Sequence, residues 1–139
     1  MGIFRWEILG CHLALLLFWV IYLNVLNYCY DKKIYILDAR SLDRYRGENE
    51  SVDPVAGHIP SAISAPYNKN LDEEGNWKSK SELRKMYLEI LNGSPAEKAV
   101  VYCGSGITAS VLALAFRLIN DNYSPTIYDG SWSEYGKIR

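Results

Sequence analysis

The clearest periodic signal lies in the last third of the chain. Val111, Leu112, Leu114, Ala115, Leu118 and Ile119 recur at helical spacing and predict a helix over 109–119 with one apolar face turned inward. Just before it, Ala99 to Tyr102 is a short apolar run, the pattern of a central strand in a parallel sheet covered on both faces. Ile34 to Ala39 is a second such run and ends in Asp38-Ala39-Arg40. Ala62 to Ala65 and Thr126 to Tyr128 read as shorter strands, and Ser41 to Tyr45 as a helical turn. Ser79-x-x-Glu82 is a capping-box pattern. It opens a helix whose apolar face is Leu83, Tyr87, Ile90 and Leu91 and which Asn92-Gly93-Ser94-Pro95 stops. This alternation predicts a single α/β domain with a central, mostly parallel sheet and helices on both faces. In such sheets ligands bind at the carboxyl ends of the strands.

The start of the chain departs from that pattern. From Ile8 to Tyr30 there is no Asp, Glu, Lys or Arg, and about 20 apolar residues suffice to span a bilayer as a helix. Residues 1–24 are therefore read as a hydrophobic N-terminal helix, a candidate transmembrane anchor, and 25–139 as the globular domain. Lys32 and Lys33 favour a cytoplasmic side for that domain. A cleaved secretory signal and a gene-prediction artefact are the competing readings; no small-residue cleavage site comes after the apolar run. With an anchor the domain sits at a membrane; without one it belongs in the cytoplasm or a mitochondrion.

Composition narrows the picture further. The chain has 139 residues and a formal net charge of −1, enough for one domain and without the basic excess that nucleic-acid binding needs. Three cysteines and no C-x-x-C fit a reducing compartment better than a disulfide framework. Cys11 and Cys29 lie in apolar surroundings and read as unreactive. Two histidines without nearby thiol or carboxylate pairs make no zinc site, and no cofactor is called for.

The chemistry concentrates at Cys103. A strand leads into the cysteine, and the loop Gly104-Ser105-Gly106-Ile107-Thr108 leads from it into a helix. Two glycines permit backbone conformations that let successive N–H groups converge at a helix N-terminus. The anion held there would be the Cys103 thiolate, so its pKa should fall, as a nucleophile requires. A small buried residue at a strand end is the plainer alternative. A cysteine phosphatase would need Arg six residues after the cysteine; Ala109 stands there.

The run Cys103-Gly-Ser-Gly-Ile-Thr-Ala109 resembles the active-site loop of the rhodanese superfamily. Leu37-Asp-Ala-Arg-Ser41 with Arg44-Tyr-Arg-Gly47, Gly57-His-Ile-Pro-Ser-Ala62 and Tyr128-Asp-Gly-Ser-Trp-Ser-Glu134 match further blocks in order. The resemblance is greatest to the C-terminal catalytic domain of 3-mercaptopyruvate and thiosulfate sulfurtransferases and covers roughly Val25 to Gly136. It implies that Cys103 carries sulfane sulfur as a persulfide, that Gly104, Ser105, Gly106, Ile107 and Thr108 surround it, and that Arg44 binds the donor's anionic group. It implies structural roles near the site for Asp38, Arg40, His58 and Trp132. Acceptors would be cyanide, a small thiol or a thioredoxin-like protein. Gly104 and Ser105 are neutral, which favours mercaptopyruvate over the dianion thiosulfate. The 48–55 stretch departs from the family pattern: it is acidic and lacks the second carboxylate-binding Arg common in mercaptopyruvate enzymes. In the two-domain enzymes the site lies between domains, so the alternative is a partial module, a membrane-tethered sulfur carrier or interaction domain.

Overall fold

Side chains alternate across a strand, and here both sets are apolar, so the central strands demand cover on both faces. The computed structural model describes residues 34–138; the N-terminal segment 1–24, its boundary at residue 25, Cys11 and Cys29 lie outside the described residues. The elements are β1 (Tyr35–Asp38), α1 (Leu42–Arg46), β2 (Ile63–Ser64), α2 (Lys80–Ile90), β3 (Ala99–Tyr102), α3 (Ala109–Ile119), β4 (Thr126–Ile127) and α4 (Ser131–Ile138), with 3₁₀ turns at Tyr67–Asn70 and Ala96–Lys98. The strand order is β2-β1-β3-β4 and every neighbouring pair is parallel. Among the described residues no helix is long and apolar enough to cross a membrane.

One sheet face carries Leu37, Ala39 and Val101 under Leu83, Tyr87 and Leu91 of the α2 region and Leu112, Phe116 and Ile119 of α3. The other carries Ile36 and Tyr102 under Ile59, Ala62, Trp132 and Tyr135. Helices therefore cover both faces, as the apolar strands require. The capping box forms: the Ser79 hydroxyl accepts from the Glu82 N–H (3.3 Å) while the Ser79 N–H donates to Glu82 Oε2 (2.9 Å).

The outer strands are shorter than the expected 62–65 and 126–128. Pro125, immediately before β4, has no N–H to give the ladder. Helix α4 has no counterpart among the elements the sequence pattern predicts. Ser131 turns the chain at φ 52°, and Ser131, Trp132, Tyr135 and Gly136 then form a buried stripe at helical spacing.

Parallel register sets Asp38 beside Tyr102, so the segments after β1 and β3 emerge together at one sheet edge. There Arg40 is 3% exposed. Its Nη2 donates to Asp38 Oδ2 and to the Gly57 carbonyl, both at 2.7 Å, and Nη1 donates to Glu50 Oε2 at 3.2 Å. The guanidinium lies 5.0 Å from the Trp132 ring centre, within cation–π range. Burial works against its charge, but Asp38 and Glu50 more than compensate and hold its pKa above the ordinary value. Removing one partner of such a buried group strands the others, at about 3–5 kcal/mol. Arg40→Met should therefore lower the free energy of unfolding by about 3–5 kcal/mol, measured by urea denaturation.

Candidate active site

Cys103 comes directly after the last residue of β3 and is 2% exposed. The chain around it is fixed on both sides: the Cys103 N–H donates to the Ser131 hydroxyl (3.1 Å), the Trp132 N–H donates to the Cys103 carbonyl (3.0 Å), and the Ser133 N–H to the Gly104 carbonyl (2.9 Å). The end of β3 and the start of α4 are thereby tied together across the sheet edge. Ser131, part of the Tyr128–Glu134 block but given no role from the sequence, is the hinge of this arrangement, since its hydroxyl also donates to the Tyr128 carbonyl (2.8 Å).

Beyond the cysteine the loop curls back over the thiol. Gly106 has φ +87°, and a Cβ there would lie 2.8 Å from the Asp129 carbonyl oxygen, so the tight approach needs glycine. Burial pushes the Cys103 thiol up. The Thr108 hydroxyl and the backbone N–H groups of Ala109, Ser105 and Thr108 outweigh it, and the pKa lies below that of an ordinary cysteine. Thr108 stands at the N-cap of α3 without capping it through its side chain; its hydroxyl serves the sulfur instead. The convergence of N–H groups expected from the loop is present, with Ser105, Thr108 and Ala109 as donors. Ile107, at the loop's tip, is 74% exposed.

Arg44 comes to the same place from α1. Its guanidinium packs on Gly104, where a Cβ would meet Nη2 at 3.3 Å and Nη1 at 3.4 Å. Two carboxylates hold it: Nε donates to Glu50 Oε1 (3.1 Å) and Nη2 pairs with Glu50 Oε1 (2.9 Å) and Asp53 Oδ2 (3.0 Å). Asp53 in turn accepts from the Ser133 hydroxyl at 2.5 Å. Burial works against the Glu50 charge, but Arg44 and the N–H groups of Asp53 and Val52 outweigh it and hold its carboxyl below the ordinary glutamate range. The acidic stretch of the sequence thus folds onto Arg44. The legible signal is two arginines, Arg40 and Arg44, ahead of a 48–55 loop that holds carboxylates and no basic residue.

The remaining candidates lie around this centre. His58 stacks on Tyr45, with ring centres 3.9 Å apart, and its Nδ1–H donates to the Tyr45 carbonyl at 2.8 Å. Trp132 is fully buried and its Nε1–H donates to the Val55 carbonyl at 2.7 Å, fastening the acidic loop to α4. Asp38 is fully buried against Arg40. An open cleft of about 340 Å³ runs beside the loop, lined by Ser105, Asp129, Gly130, Ser133, Glu134 and Lys137.

A family profile described as "Rhodanese-like domain" matches residues 25–137. A Pseudomonas aeruginosa protein named "Probable 3-mercaptopyruvate sulfurtransferase" is 43% identical over 100 residues, covering 72% of this chain and 35% of its own length. The solved 3-mercaptopyruvate sulfurtransferase from Leishmania major is similar at TM-score 0.66 and 30% identity, over 77% of this chain and 30% of that one. The Escherichia coli SseA structure, titled as a 3-mercaptopyruvate sulfotransferase, is similar at TM-score 0.59 and 33% identity, over 79% and 40% of the two chains. The chain thus spans about a third of the length of the curated relatives it matches.

Thiolate is the reactive form, so alkylation reads the thiol's protonation. The rate at Cys103, followed by peptide mass spectrometry, should fall with decreasing pH through a midpoint below the ordinary cysteine value of about 8.5. Thr108→Val removes one hydrogen bond to the charged form and should raise that midpoint.

Proposed function

The chain belongs to the rhodanese-like domain family, and from that premise we propose that it is a sulfurtransferase carrying sulfane sulfur on Cys103. The observation that carries this reading is the buried thiol met by the Thr108 hydroxyl and three backbone N–H groups. Such donors stabilise a thiolate without a neighbouring cation and equally suit the anion of a persulfide. The start of the family match at residue 25 supports setting residues 1–24 apart from the domain.

The donor favoured is 3-mercaptopyruvate. The Cys103 thiolate attacks its sulfur; the S–S bond forms as the C–S bond breaks. The electron pair leaves on carbon as the enolate of pyruvate, which takes a proton to give pyruvate. An acceptor such as cyanide then attacks the outer sulfur of the persulfide and departs as thiocyanate, returning the thiolate. The two half-reactions pass through one covalent intermediate and give ping-pong kinetics. Nη1 of Arg44, which with Nη2 lies against Gly104, offers the donor's carboxylate a charge-assisted hydrogen bond.

The test is thiocyanate formation from mercaptopyruvate and cyanide, with mass spectrometry for one added sulfur on Cys103. Wild-type protein should show both, and Cys103→Ser neither. A wild-type protein that gains no sulfur from either mercaptopyruvate or thiosulfate overturns the reading. Arg44→Ala should raise KM for mercaptopyruvate roughly tenfold to hundredfold, the equivalent of about 1.5–3 kcal/mol for a charged hydrogen bond, with a smaller effect on kcat.

A further inference from the structure

The guanidinium that faces the thiol loop is already shared by two carboxylates of its own chain. Glu50 is explained without any ligand, because it also closes the buried Arg40 pair at 3.2 Å. Asp53 is not. Among the described residues its ion pair is with Arg44 and not with Arg40. It is held by Arg44 Nη2 and the Ser133 hydroxyl, and Ser133 lines the open cleft beside the loop. Its carboxylate is 7% exposed and Arg44 is 21% exposed. A negative charge is thus fixed on the guanidinium that packs against the loop at Gly104.

We infer that Asp53 is a specificity-determining residue, selecting donors by charge at the Arg44 anion site. The inference rests on the sulfurtransferase reading and deepens it. Three carboxylates, Asp38, Glu50 and Asp53, surround two guanidiniums in this network, so the cluster as a whole does not attract anions. With Nε and Nη2 of Arg44 engaged, Nη1 is left to meet an incoming anion at one point. A monoanionic carboxylate with an uncharged sulfur tolerates such a site. A dianion such as thiosulfate feels twice the repulsion from Asp53, because the Coulomb energy is linear in the ligand's charge. The carboxylate therefore does for selectivity what a basic residue in the loop would undo.

Asp53→Asn removes the charge and keeps an oxygen to accept from Arg44. At a separation of about 6 Å in a water-like dielectric, one unit charge changes binding of a monoanion about threefold. The same step changes a dianion by the square of that, about tenfold. The expected result is that kcat/KM rises about threefold for mercaptopyruvate and about tenfold for thiosulfate, the difference shrinking as ionic strength rises. Asp53→Glu keeps the charge and should keep the wild-type ratio. That ratio is taken within one preparation, so a smaller folded fraction does not alter it. Titration calorimetry of Cys103→Ser protein, with and without Asp53→Asn, against pyruvate and thiosulfate reads the same difference without turnover. Equal changes for both anions, or no change, overturn the role of Asp53. Absence of sulfur transfer in the wild type overturns the sulfurtransferase reading alone and leaves the calorimetric comparison to decide this one.

Discussion

The burial of the Arg40 guanidinium is the constraint on which the rest of this edge of the molecule depends. A charge at 3% exposure is tolerable only if its donors are met. Asp38 meets two of them from the adjoining strand, which local sequence can arrange. The others need Glu50 and the Gly57 carbonyl, ten and seventeen residues away. Satisfying Arg40 therefore draws the whole 48–58 loop against the sheet edge. Once there, the loop carries Glu50 and Asp53 to Arg44 and offers the Val55 carbonyl to the Trp132 indole. One buried cation thus positions a second, half-buried one beside Gly104.

The thiol is governed by the opposite balance. It sits where burial alone would keep it protonated, and its anion is favoured because the Thr108 hydroxyl and backbone N–H donors converge on it. Those donors cost nothing in net charge. The backbone of the loop and the first turn of α3 present them because Gly106 permits a positive φ against the Asp129 carbonyl and because α4 pins the carbonyls of Cys103 and Gly104 from behind. The site thus separates two tasks. Backbone dipoles and the Thr108 hydroxyl favour charge on sulfur, while the side-chain charges of Arg44, Glu50 and Asp53 meet one another beside Gly104.

Much of this was determined by the sequence itself. Apolar runs at 34–39 and 99–102 and the 3.6-residue periodicity of 109–119 are local properties, and β1, β3 and α3 lie within a residue of where that pattern predicts. The cysteine, its glycines and the helix start are contiguous, so convergence of N–H groups on Cys103 was legible in the sequence, although α4 holds the loop in place. Asp38 and Arg40, two residues apart at a strand end, could be paired for the same reason. Tertiary structure decided what depends on distance along the chain. Helix α4 forms because Trp132 and Tyr135 have a sheet face to cover, and no periodic run long enough announces it. The acidic loop reads in isolation as solvated carboxylates; only the unsatisfied donors of Arg40 and Arg44 make it part of the site. Whether Arg44 is a free cation or a shared one was likewise beyond the sequence, because an ion pair depends on where side chains end up in space. Backbone conformation is set by neighbours in the chain, whereas electrostatic partnership is set by neighbours in the fold.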